Sequence, residues 1–99
     1  MALTGKQFRQ LRSLAHHLNP IIHIGKFDIT DALVKETEAA LENRELIKCA
    51  VQDGSDLEAR EAADMLAERT NADVVQVIGH RFSLYRESSR DDIEKIKLV

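Results

Sequence analysis

Three stretches with apolar side chains three or four residues apart are joined by four short strand-like runs, and this order constrains the fold most. The first stretch places Phe8, Leu11, Leu14, Ala15 and Leu18 on one helical face. Thr4-Gly5-Lys6-Gln7 before it reads as a capping box, and Asn19-Pro20 closes it because proline disfavours a helical residue ahead of it. A second helix is predicted from a Thr30 cap to about Asn43, with Leu33, Val34, Thr37, Ala40 and Leu41 inward. A third follows the capping box Ser55-Asp56-Leu57-Glu58 and runs to about Thr70, with Ala59, Ala62, Ala63 and Leu66 inward.

Between and after the helices, Ile21–Ile24, Glu45–Gln52, Val74–Ile78 and Arg81–Arg86 read as strands. Gly79-His80 suits a tight hairpin, since glycine supplies a positive φ at no steric cost. The order is α-β-α-β-α-β-β. Strand–helix–strand units imply parallel pairs with right-handed crossovers, and the closing hairpin adds an antiparallel edge. The expected class is α/β: one domain over residues 1–99, a mixed four-stranded sheet with three helices. Residues 87–99 are polar and are expected to be a loosely held tail.

Ninety-nine residues suit one domain, because two halves would each be too small to bury a core unaided. Apolar residues make 43% of the chain and charged residues 31%, the balance of a folded domain rather than a disordered one. No apolar run approaches the ~20 residues needed to cross a bilayer. The first ten residues, MALTGKQFRQ, lack a signal-peptide core. Cys49 is the single cysteine, which excludes an intrachain disulfide and a cysteine metal cluster. A cytoplasmic protein with no membrane partner is expected.

The net charge of −3 disfavours a polyanionic partner until its distribution is read. Residues 1–30 carry Lys6, Arg9, Arg12 and Lys26 against Asp28 alone. Residues 31–73 carry twelve acids and five bases, and residues 74–99 carry four acids and five bases. A basic end therefore sits on an acidic body, and local potential rather than total charge attracts a polyanion.

Catalytic patterns are missing. His16 and His17 are adjacent, so on a helix they diverge by about 100°. No CxxC, HExxH, GxSxG or phosphate-loop spacing occurs. Cys49 in mid-strand reads as a small core hydrophobe and His23 as a satisfied histidine rather than a ligand. Neither an enzyme nor a cofactor or metal site is expected.

Three elements point to a nucleic acid instead. Lys6, Arg9 and Arg12 project from one helix with no acid among them, a pattern suited to phosphates; solubility is the plain alternative. The turn Gly25-Lys26-Phe27-Asp28 joins a strand to a helix N-terminus, where amide groups and Lys26 suit a phosphate. Phe27 there either stacks on a base or folds into the core. In the last strand Phe82 and Leu84 are expected to face the core, leaving Arg81 and Tyr85 on the other side with Arg86 beyond, either for RNA or as a charge-protected edge. The rival reading is a protein-interaction module using the acidic faces of helices 2 and 3.

Several ordered segments together resemble a known family: Leu3–Gln7, Leu11–His16, Asn19–Ile22, Ile24–Lys26, Glu45-Leu46-Ile47-Lys48, Val75–Gly79 and Leu84–Arg86. The chain resembles the chloroplast RNA splicing and ribosome maturation (CRM) domain, most nearly its single-domain bacterial YhbY-like form. The resemblance implies a fold similar to the C-terminal domain of bacterial translation initiation factor 3. It also implies RNA binding, for bacterial members on ribosomal RNA of the maturing large (pre-50S) subunit. A Gly-x-x-Gly loop, like that of KH domains, corresponds to Gly25–Asp28, with Asp28 in place of the second glycine. The expected RNA contacts are Lys6, Arg9, Arg12, Gly25, Lys26, Phe27, Lys48, Arg81, Tyr85 and Arg86, on a protein acting as a monomer.

Overall fold

The computed structural model describes residues 2–99. Helix α1 (Gly5–Ala15) opens on the expected box: Gln7 N donates to Thr4 Oγ1 at 3.2 Å and Thr4 N to Gln7 Oε1 at 2.9 Å. It stops four residues short of Asn19. The bonds His17 N to Leu14 O and Leu18 N to Ala15 O tighten its end into a three-residue repeat before Pro20 is reached.

Strand β1 (Ile22–Ile24), helix α2 (Asp31–Arg44) and strand β2 (Leu46–Val51) follow as predicted, α2 capped by Thr30 Oγ1 on Leu33 N. Helix α3 (Ala59–Thr70) starts later than its proposed box. Ser55 instead turns the loop, accepting from Leu57 N, and Glu58 becomes the cap, its amide donating to Glu61 Oε1. Strands β3 (Asp73–Ile78) and β4 (Arg81–Tyr85) form the hairpin, with Gly79 at φ 58°.

The sheet order is β1-β2-β4-β3, with β1 and β2 parallel and β4 antiparallel to both neighbours. The expected antiparallel edge is thus β3, while β4 is internal. The crossover through α3 skips one position and the hairpin returns β4 into the gap, so β4 is not an edge strand shielded by charge.

One sheet face carries the larger core. Ile22, Ile24, Ile47, Cys49, Phe82 and Leu84 pack there beneath Leu33 and Leu41 of α2 and Ala62, Ala63 and Leu66 of α3. Small alanines let α3 approach closely. Cys49 behaves as the expected core hydrophobe, burial pushing its thiol up to about 12. On the opposite face α1 lays Leu11 and Ala15 on Leu46, Val75 and Tyr85.

Residues 87–99 form no helix or strand, yet the loose tail expected of them is pinned at both ends. Glu45, 1% exposed and at φ 64°, accepts from Ser88 N and Ile96 N, each at 2.7 Å. Glu42 accepts from the Ser89 hydroxyl at 2.6 Å, which with Arg86 outweighs burial and holds its carboxyl below the usual range. Ile96 and Leu98 then pack against the α1 core, and Gln10 pairs with the backbone of Lys97 and Val99.

Candidate nucleic-acid interface

Lys6, Arg9 and Arg12 all lie exposed along α1, on the side turned from Leu11 and Ala15. The ion pairs among the described residues are Arg60–Asp64, Arg69–Asp31, Arg86–Glu42 and Arg90–Asp92. Each joins a base of α3, the end of β4 or the tail to an acid. Lys6, Arg9, Arg12, Lys26, Lys48 and Arg81 take part in none of them. Their positive charge is therefore not neutralised within the fold, which is the condition for releasing counterions from a polyanion.

The Gly25–Asp28 turn closes through Asp28 N on Gly25 O at 3.0 Å. Asp28 adopts φ 56°, a left-handed conformation that aspartate tolerates better than most residues, so the turn survives loss of the second glycine. Its carboxylate accepts from the Ser55 hydroxyl at 2.6 Å, tying this turn to the loop between β2 and α3. Gly54 packs there against the Lys26 backbone, a Cβ at position 54 lying 3.7 Å from Lys26 N. Phe27 is 76% exposed, which removes its core alternative, and Lys26 Nζ lies 5.1 Å from the ring centroid. The anticipated phosphate site at the N-terminus of α2 is less open than expected, because Thr30 caps it and Asp31 occupies its first turn.

Cross-strand pairing assembles the rest. Lys48, Ser83 and Gln76 form one row on the α1 face, and Ala50, Arg81 and Ile78 the next, which His23 of β1 extends. His23 is exposed there rather than satisfied in a core. Lys48 and Arg81 thus share the surface that α1 flanks, as expected.

Tyr85 and Arg86 do not. Tyr85 does point away from Phe82 and Leu84, but α1 covers that end of the face and leaves it 6% exposed. Burial, then the Glu45, Glu87 and Asp73 carboxylates, raise its phenol. Arg86 donates to Thr70 O at 2.8 Å and to Glu42 Oε1 at 3.0 Å, a structural clasp between α3 and α2. Sequence reasoning did not count His16, His23, Gln76 or Ile78 among the candidate contacts. For Gln76 and Ile78 the signal lay in strand register, which a bulge between Val74 and Gln76 hides from simple alternation.

Among the described residues no group of three or more His, Cys, Asp or Glu could hold a metal ion, and no helix is long and apolar enough to cross a membrane.

Known proteins are similar to this chain. YqeI of Bacillus subtilis, named a probable RNA-binding protein, is 43% identical over 89 residues, covering 90% of this chain and 93% of its own. A Haemophilus influenzae protein named as RNA-binding is 40% identical over 93 residues, covering 93% of each chain. The solution structure of a Staphylococcus aureus protein, described as a candidate for RNA binding, superposes with a TM-score of 0.72 at 45% identity, covering 96% of this chain and all of the other. The model of the CRS1/YhbY (CRM) domain matches residues 3–86, and with these relatives it establishes that the chain belongs to that family.

Proposed function

We propose that this protein is a non-catalytic RNA-binding protein that docks as a monomer on ribosomal RNA of the maturing large subunit in the cytoplasm. RNA binding in the names of its relatives supports the general activity. The observation that carries the reading is the set of six exposed or half-buried cations on α1, the Gly25–Asp28 turn and the α1 face of the sheet, none of them in an ion pair. Lys6, Arg9 and Arg12 grip phosphates along one line, Lys26 adds a cation at the turn, and Phe27 offers a ring to an unstacked base. Lys48 and Arg81 extend the charge across the sheet.

The acidic surface of α2 and α3, where Asp31 and Asp64 hold Arg69 and Arg60, is the alternative docking face. Gradient sedimentation of a cell extract tests the assignment. The protein is expected to travel with precursors of the large subunit and to leave them in high salt. Sedimentation free of ribosomal particles at low salt would overturn the ribosomal part of the proposal.

A further inference from the structure

We propose that the part of the sheet left uncovered by α1 receives a single unpaired nucleobase of the bound RNA. The inference rests on the RNA-binding reading above and names what that surface selects. Helix α1 ends at Ala15, having covered the row that contains Leu46 and Tyr85. Beyond its end the next two rows are only partly covered, with Ile78 and Arg81 exposed, Lys48 and Gln76 half-buried and Ser83 at the bottom. They form a cleft of about 270 Å3 lined by His16, Lys48, Gln76, Ile78, Arg81 and Ser83. Pockets for drug-sized ligands run from about 300 to 1,000 Å3, so this cleft suits something smaller, such as one base.

Its chemistry is that of a base site. Ile78 is 61% exposed, an apolar surface on which a flat ring can lie. Gln76 beside it carries both an acceptor and a donor, the pair needed to read a base edge. Ser83, 2% exposed, sets a hydroxyl in the floor. Lys48 and Arg81 flank the opening, and no acid lines it. The cleft also continues the row of unpaired cations on α1 through His16 at that helix's C-cap. A duplex presents a convex wall of phosphates, which can meet Lys6, Arg9 and Arg12 but cannot reach a recessed serine. A base turned out of a bulge or loop can, and such unstacked bases are what sequence-reading RNA proteins commonly take.

Two RNA hairpins test this, one with a fully paired stem and one with the same stem carrying a single bulged uridine. The wild-type protein is expected to bind the bulged hairpin about tenfold more tightly, within the range that one stacked base supplies. The double variant Gln76→Ala/Ile78→Ala should lose that preference and keep its affinity for the paired stem. Both residues lie on the edge strand, at half-buried and exposed positions, so the fold should tolerate the change. As an arm that needs no variant, 5-iodouridine at the bulge should crosslink to residues 76–83. Equal affinity for the two hairpins, a preference that survives the double variant, or crosslinks confined to α1 would overturn the inference while leaving RNA binding in place. Failure of both hairpins to bind at low salt would overturn the RNA-binding reading itself.

Discussion

The two faces of the sheet are built from the same four strands and serve different ends. The α2/α3 face is sealed by two helices whose leucines and alanines leave Ile24, Cys49 and Leu84 without exposed surface. Three arginines on that side are held by acids: Arg69 by Asp31, Arg60 by Asp64, Arg86 by Glu42. The α1 face is covered by one short helix at one end only, and its cations have no acidic partner. Two helices close the first face, and one helix leaves part of the second open with Lys48 and Arg81 in no ion pair. The same division shows along β4, whose Phe82 and Leu84 serve the first face at every position, while Tyr85 and Arg81 on the second are buried and exposed respectively.

The contrast is sharpest in a core truncation. Leu66→Ala on the sealed face should lower stability by about 2–5 kcal/mol in urea unfolding and leave the RNA affinity of the folded fraction unchanged. A parallel loss of affinity at denaturant-free equilibrium would break the separation of the faces. Cys49 on the same face offers a pH test. Burial pushes its thiol up to about 12 from the 9.0 of a solvent-exposed thiol, so the stability linked to it is complete below pH 9 and declines as pH rises towards 12. Cys49→Ala should shallow that alkaline decline, and an identical pH profile in the variant would assign the decline to other groups.

On the open side the expected effects are smaller and fall on binding. Phe27→Ala should weaken RNA binding by about 1–3 kcal/mol. Because the ring is 76% exposed, its urea midpoint should barely move, and a large fall in the midpoint would place Phe27 in the structural half of the comparison. The smallest effect is expected at Asp28→Gly. Glycine accepts the same φ of 56°, and removing a carboxylate near the phosphate path should tighten binding by about threefold at low salt. The lost bond from Ser55 should cost about 1 kcal/mol or less. Weaker binding by a folded Asp28→Gly protein would mean that the tie to Ser55 positions the turn and matters more than the charge.

Local signals carried much of this into the sequence. Thr4 and Thr30 cap the helices they precede, Gly79 takes the positive φ its hairpin needs, and the alternation in β4 turns Phe82 and Leu84 into the core. What could not be read was long-range. Alternation assigns Tyr85 to the α1 face but cannot say that α1 reaches Tyr85 and stops short of Arg81. Nothing local marks Glu45, an acid in a polar-looking junction, as the buried anchor of residues 88 and 96. Arg86 resembles Arg81 in sequence, and only its closeness to Glu42 and Thr70 turns it from a candidate contact into a clasp. The position of β4 inside the sheet depends on a crossover that skips one place, which no run of residues records.

The central claim is that the unpaired cations of α1 form the electrostatic grip on RNA. The most direct measurement is the salt dependence of binding to a large-subunit ribosomal RNA fragment, compared between the wild type and Lys6→Ala/Arg9→Ala/Arg12→Ala. Each lost phosphate contact should reduce the slope of log K against log salt by about 1, so the triple variant should bind more weakly and with a slope shallower by about 2–3. Its urea midpoint should match the wild type, since all three side chains are exposed. An unchanged slope with unchanged affinity would contradict the account.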